Sequence, residues 1–383
     1  MKKVFLLNSS PTPYKNPLIE RLAAREGIDL FVAFCVWKSG TRPWDLGELK
    51  GVRHEVLGGW HIPKGKGNYI RINWPVISRL RSENPDVVVI AGYNHPTMMM
   101  AIAYCVFTNT PFVIQAETWV ERTGLKAKLK QMLLHPILFK AGAFLVTGTL
   151  GRKYWVSRGY NENKIRVFAN TPDVEYFMQK RAEVKDEERV ALRESWQCGS
   201  RQVAVFVGRL IKVKGVDLLL GAMREMEDED RPFLVIVGDG TEREELERLA
   251  EGMPVAFLGF LQIDDLPAIY AAADYFVLPS ILEPWGVVVN EGMACGLPLM
   301  LSEQVGAHAD LLEPSIRHGN GALVEGPTVE ILKEGMMKMA MASDEDLSRM
   351  GIRSQNIIQG WKYGASVQGF EEACDLALQF RGQ

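Results

Sequence analysis

The chain has few covalent or metal ties to hold it together. Its five cysteines, Cys35, Cys105, Cys198, Cys295 and Cys374, form no C-x-x-C pair. That spacing argues against a disulfide framework or a zinc ribbon and points to a reducing compartment. The six histidines do not pair at ligand spacing, so no metal site is expected. No apolar run approaches the roughly eighteen residues a membrane span requires. The opening MKKVFLLNSS lacks the organisation of a signal peptide and reads as a first strand, stopped by Asn8-Ser9-Ser10-Pro11; cytosol is the expected location. A G-x-G-x-x-G between a first strand and helix is missing, as is a Walker sequence, which removes dinucleotide and ATP readings. Solenoid repeats and low-complexity tracts are absent too.

What remains is an ordinary globular composition, 47% apolar and 24% charged over 383 residues, enough for two domains. Short apolar segments (KVFLLN, IDLFVAFCV, DVVVIAG, PFVIQAE, AFLVTG) alternate with amphipathic ones such as NPLIERLAARE. The second half repeats the scheme with QVAVFVG, FLVIVGDG, VAFLGF and DYFVLPS. Alternation of strand and helix predicts α/β units with parallel sheets covered on both faces. The boundary is expected near Asn170–Phe177, followed by a charge-dense stretch to about Gly199 that reads as a solvated helix or linker arm. Basic residues outnumber acidic ones in residues 1–180, and the reverse holds in 181–383, in keeping with two separate domains.

The most informative feature is a pair of glutamates eight positions apart in EPWGVVVNE, Glu283 and Glu291. The preceding YFVLPS reads as a buried strand and the following NEGMACG as helix. The expected arrangement is strand, glycine-containing loop, helix, with one carboxylate at the loop and one inside the helix. A helix start offers unpaired N–H groups to an anion, and a carboxylate deeper in can accept hydrogen bonds from a ribose diol. This is the outline of a nucleotide-sugar pocket. Upstream, Gly208-Arg209 ends a strand and Lys214-Gly215 opens a helix. A planar guanidinium and a compact ammonium five residues apart suit a diphosphate whose charge grows as a glycosidic bond breaks.

The stretch PSILEPWGVVVNEGMACGLPLMLSEQVGAHADLL resembles the donor-site signature of the retaining glycosyltransferases of family four. VFVGRLIKVKG (Val205–Gly215) resembles their second signature and NGALVEG (Asn320–Gly326) a third. The resemblance implies a GT-B fold, two Rossmann-like domains facing a central cleft. Residues 1–172, completed by a last helix in 361–383, would form the acceptor domain, and 173–360 the nucleotide-sugar donor domain. It implies Arg209, Lys214 and Glu283 as catalytic residues. Gly208, Asp239 of the VGDG turn, Pro284, Trp285, Gly286, Val287, Val288 and Glu291 would bind donor, with Glu291 on the ribose hydroxyls. Retention of configuration would follow a front-face route without a covalent sugar–enzyme intermediate, with no cofactor and no metal. Similar enzymes carry polar groups where Ser10, His95 and Glu117 stand on the acceptor side. Two departures are plain: Glu117 replaces the commoner histidine, and the loop SSPTPYKN (Ser9–Asn16) has no glycine.

The expected activity is transfer of a hexose from a nucleotide diphosphate sugar to a hydroxyl of a glycan, lipid-linked saccharide or small metabolite. A nucleotide-sugar epimerase of the same architecture and a non-catalytic nucleotide-sugar binder stay open as alternatives. Nucleic acid is not an expected partner, since no aromatic stacking module accompanies the basic residues. Arg122, Lys126, Lys128, Lys130 and Lys140 fall in an acid-free stretch, 122–142, with Leu125, Leu129, Met132 and Leu133 at helical spacing. Such a segment reads either as a helix on an anionic membrane surface, at the inner face of the membrane, or as a packed helix with a solvated basic face.

Overall fold

The computed structural model describes residues 1–37, 47–63, 69–93, 95–120 and 124–380, the side chains of 125–131 excepted. The chain divides into two compact units, one of Met1–Asn170 with Tyr363–Gln383 and one of Thr171–Lys362. Among the described residues no helix is long and apolar enough to cross a membrane.

The first unit holds β1 (Lys2–Asn8), β2 (Ile28–Phe34), β3 (Arg53–Val56), a hairpin of β4 (Trp60–Pro63) and β5 (Tyr69–Ile72), then β6 (Val87–Ala91), β7 (Phe112–Ala116), β8 (Ala143–Val146) and β9 (Ile165–Val167). Seven of these form one sheet in the order β3-β2-β1-β6-β7-β8-β9, with parallel pairing throughout. The central strands are buried on both faces, which is why they read as continuous apolar runs rather than alternating ones. One face packs on helices through Val76, Met98, Ile102 and Trp155. The other is covered by Leu18, Ile19 and Leu22 and by the last helix, Tyr363–Phe380, through Val367, Phe370, Ala373 and Ala377.

The second unit holds β10 (Val203–Val207), β11 (Phe233–Val237), β12 (Val255–Gly259), β13 (Tyr275–Leu278), β14 (Leu299–Ser302) and β15 (Gly321–Val324). Their order, β12-β11-β10-β13-β14-β15, is the doubly wound 3-2-1-4-5-6 pattern, and again every pair is parallel. The strand order reverses between β10 and β13, and between β1 and β6 in the first unit. Ligands of open parallel sheets collect at the carboxyl ends of strands flanking such a reversal.

The charge-dense stretch after the boundary takes the helical form of the two expected, not that of a linker arm. It forms two helices, Val174–Glu183 and Asp186–Trp196. Arg189 donates to the Ala271 carbonyl at 2.8 Å, and Arg193 bridges Asp274, whose carboxylate also accepts from the Val203 N–H at the head of β10. Periodicity missed this because the ties are made by guanidinium groups, which count as polar in any hydrophobic pattern.

Candidate functional site

Three loops at the carboxyl end of the second sheet bring most of the expected donor residues together. After β10 the chain passes Gly208 and the exposed Arg209 into a short 3-10 turn, Lys212–Lys214, and then the helix Val216–Arg224. The Leu210 N–H donates to the Asp239 carbonyl at 2.9 Å, so the crests after β10 and β11 are laced together through the backbone. The Asp239 carboxylate accepts from the Gly240 N–H at 2.7 Å and stands 3.7 Å from Arg243.

The loop after β13 crosses the reversal point. Ile281 donates its N–H to the Val213 carbonyl at 2.9 Å, and Gly215, with φ +68°, lies under the Pro279 carbonyl. A Cβ there would come within 2.4 Å of that oxygen, so the contact requires glycine. These backbone ties deliver Lys214 to Glu283, and their side chains form an ion pair. The two are only 13% and 15% exposed, whereas neighbouring Lys212 is 69% exposed and pairs with Asp217. Glu283 is itself clamped: its N–H donates to Gln304 and its carbonyl accepts from Gly306.

The helix Val287–Ala294 begins directly after Gly286, whose φ of +97° turns the chain into it. All three valines lie inside this helix, earlier than the helix formers from Asn290 onward suggest. Burial of Val289 against the sheet outweighs the modest penalty of β-branching. The first-turn N–H groups of an α-helix have no intrahelical acceptor and carry the positive end of its dipole. Here they belong to the half-buried Val287 and Val288. Pro284 is exposed at the loop crest.

The Trp285 ring turns inward, away from solvent. Its side chain is 2% exposed in the unit core, its indole N–H donates to Asn290 Oδ1 at 3.0 Å, and its ring lies 5.1 Å from that of Trp361. Only its backbone is left to face a donor; the ring anchors the loop. Asn320 of the third motif is likewise structural. It is buried and bonds Glu313, Leu311 and Ser354.

Glu291 sits on the second turn of that helix, buried, and accepts a hydrogen bond from the Tyr270 hydroxyl at 2.9 Å. Burial pushes its carboxyl up to about 7, against the opposing effect of the Tyr270 bond. Burial, with the Glu291 charge nearby, also raises the Cys295 thiol and the Tyr270 phenol. Tyr270 is a partner that the sequence reading passed over. The available signal was a hydroxyl-bearing ring set among alanines in LPAIYAAA, where a buried phenol must find an acceptor.

In the first unit, Ser10, His95 and Glu117 each follow a strand at the carboxyl end of the sheet and are half-buried. Glu117 pairs with Lys15 at 2.6 Å, an arrangement that the sequence reading did not foresee. Ser9 accepts from Arg71 at 2.8 Å. Of the basic stretch 122–142, residues 122–123 and the side chains of 125–131 lie outside the described residues. The rest of the helix Leu125–Leu138 buries Leu138 in the core and exposes Met132 and Leu133.

Residues 191–356 match the profile of the family described as Glycosyl transferases group 1. An uncharacterised glycosyltransferase of Methanocaldococcus jannaschii is 36% identical over 135 residues, 34% of each chain, so the match spans about a third of that relative's length. A GDP-mannose-dependent alpha-(1-6)-phosphatidylinositol monomannoside mannosyltransferase of Mycolicibacterium smegmatis is 26% identical over 317 residues, covering 71% of this chain and 81% of the relative. Among solved structures, Anabaena HepE in complex with UDP superimposes with a TM-score of 0.75 at 17% identity, covering 97% of this chain and 99% of that one. At that identity the likeness establishes the fold, which is GT-B, as expected.

Proposed function

We propose, given that residues 191–356 belong to the group 1 glycosyl transferases, that the whole chain is a retaining hexosyltransferase. It takes its sugar from a nucleotide diphosphate donor and passes it to a hydroxyl acceptor. The observation that carries this reading is the convergence of Lys214, Glu283 and the start of the helix Val287–Ala294 at the reversal point of the second sheet.

In this reading the diphosphate lies on the Val287 and Val288 N–H groups, with Lys214 and Arg209 beside it. As the glycosidic bond breaks, charge builds on the departing phosphate oxygens. Donors already aimed at that position stabilise the transition state more than the ground state. The reading assigns this stabilisation to cationic side chains and the helix dipole, without a metal. Glu283 holds Lys214 at rest and, with donor bound, lies beside the sugar. Glu291 takes the ribose diol. The acceptor hydroxyl gives its proton to the leaving phosphate on the same face of the sugar, so configuration is retained. Glu117, oriented by Lys15, supplies a hydrogen-bond acceptor for the incoming hydroxyl. A relative's name includes GDP-mannose and a structural neighbour holds UDP; both bases are therefore first choices for testing.

A thermal-shift panel of UDP, GDP and ADP with their common sugars is the direct test. One diphosphate should stabilise the protein above the others by mass action, and nucleotide release should require an acceptor. Absence of any shift at millimolar nucleotide would defeat the proposal. Turnover of the sugar without an acceptor would identify an epimerase, and binding without turnover a non-catalytic protein.

A further inference from the structure

The loop after β1, Ser9–Asn16, contains no glycine, and its hydrogen bonds show how it turns without one. The Lys15 N–H donates to the Thr12 carbonyl at 3.0 Å, which closes a tight turn over Thr12–Lys15. Pro13 stands at the second position of that turn, where the fixed φ of proline is preset for it. No residue of the loop has a left-handed φ. The turn runs directly into the helix Asn16–Ala23, and the Asn16 N–H donates to the same Thr12 carbonyl at 3.0 Å.

Lys15 is therefore the residue that caps this helix, and it is poorly suited to the place. Capping positions favour Ser, Thr, Asp or Asn, whose side chains accept from first-turn N–H groups. Lysine can only donate. Lys15 makes no capping bond, and its charge lies at the positive end of the helix dipole. Its side chain is only 12% exposed, and its ammonium pairs with Glu117 after β7 at 2.6 Å. A residue that works against its own helix points to a task elsewhere. The task visible here is to hold the Glu117 carboxylate.

Two side chains from distant elements fix the loop around Lys15. At the loop's start, Ser9 accepts from Arg71 at 2.8 Å. Next to Lys15, the Tyr14 carbonyl accepts from the Tyr363 hydroxyl at 3.1 Å. Tyr363 opens the last helix, is buried, and has the Arg21 guanidinium 4.6 Å from its ring centre. Its hydroxyl thus reaches the loop from a packed base. We propose that Tyr363 is a positioning residue for the acceptor: its hydrogen bond sets the turn Thr12–Lys15 so that Lys15 holds Glu117 in place for the incoming hydroxyl. The inference rests on the transferase reading of Glu117. Under it, the glycine-free loop is a preset platform, and placing the reacting group before the acceptor arrives lowers the entropy cost of the step.

Amine labelling of the full chain tests the geometry without any substrate. Lys15, paired and shielded, should react slowly with an N-hydroxysuccinimide ester, read by peptide mass spectrometry. Tyr363→Phe should speed that labelling about fivefold. With the donor that the nucleotide panel selects and methyl hexosides as acceptor probes, the same variant should raise acceptor KM about fivefold, leaving kcat and donor affinity unchanged. In a Glu117→Gln background it should add nothing to that KM, because both changes act through one contact. Should Tyr363→Phe fail to fold, Pro13→Gly loosens the same turn from within the loop and carries the same expectations. Unchanged Lys15 labelling, or effects that add in the double variant, would overturn the proposal. So would a lowered melting temperature with acceptor KM unaltered, which would leave Tyr363 a core residue only. Absence of both a nucleotide shift and transfer by wild type would defeat the transferase reading and the acceptor role with it, whatever the labelling shows.

Discussion

Lys214 and Glu283 are 69 residues apart in the chain and form an ion pair across the reversal point of the second sheet. Each is largely shielded from water, so removing one partner leaves the other charge poorly solvated. Lys214→Met is expected to destabilise the protein by about 3 kcal/mol. Lys214→Met/Glu283→Gln should recover most of that loss. A double-mutant cycle by urea denaturation measures the coupling; additive single effects would mean that the pair does not join the two loops energetically.

Glu283, together with Arg209, is also expected to carry the chemistry. Arg209→Ala and Glu283→Gln should each lower kcat/KM by about a hundredfold or more, with Glu283→Gln acting mainly on kcat. Melting curves of both variants test that the loss is not one of folding. A change confined to donor KM would relocate them to ground-state binding.

Glu291 makes the protein's stability depend on pH. Its carboxyl titrates near 7 in the fold against an ordinary value of 4.5. Between those values the folded state holds a proton that the unfolded chain has lost, so stability falls as pH rises through this window. The full cost above pH 7 is roughly 3 kcal/mol. Glu291→Gln should therefore melt higher than wild type at pH 8.5 and gain little at pH 5. Binding should show the opposite preference. A ribose diol donates to the carboxylate, so nucleoside diphosphate affinity should weaken as pH falls below about 7, and the Gln variant should lose that dependence. Calorimetric titration in two buffers of different ionisation enthalpy would also reveal proton release on binding.

Gly215→Ala tests the backbone geometry. The left-handed φ and the 2.4 Å approach to the Pro279 carbonyl together should cost at least about 2 kcal/mol. The loop after β13 must retreat to make room, which also pulls Glu283 from Lys214. Thermal unfolding and nucleotide binding should fail together. An alanine variant with wild-type values of both would show that the loop closes by another route.

On the acceptor side, Glu117→Gln keeps the shape and removes the charge that Lys15 orients. Acceptor KM is expected to rise about tenfold with the donor affinity unchanged. A shift in donor affinity instead would assign Glu117 to the sugar.

The alternation of strands and helices was readable because buried parallel strands appear as short apolar blocks, and the blocks from KVFLLN to DYFVLPS all became strands. The order of the loops at the reversal point followed from the motifs, since Gly208, Gly215 and Gly286 mark places where backbone turns or approaches closely. The fate of Trp285 was not readable. Motif position places the residue in the loop, but only packing against Trp361 and Asn290 decides that the ring faces inward. Nor was Lys15 on Glu117 visible, because it joins elements 102 residues apart; Tyr270 offered a signal in its alanine-rich helix, but the sequence does not name Glu291 as its acceptor. The hairpin β4–β5 escaped notice because Trp60 to Ile72 alternates over only four residues on each side.

The helix Tyr363–Phe380 supplies much of the apolar cover on one side of the first unit's sheet, while residues 171–362 form the second unit entirely from an uninterrupted stretch. During synthesis the order of completion is therefore inverted. The later-made unit has all its parts before the earlier one, whose sheet waits with Val89, Val113 and Leu145 unshielded until the helix Tyr363–Phe380 leaves the ribosome. A stop codon shortly after Trp361 would thus injure the amino-terminal half, and limited proteolysis of such a product should spare residues 171–361 while degrading residues 1–170.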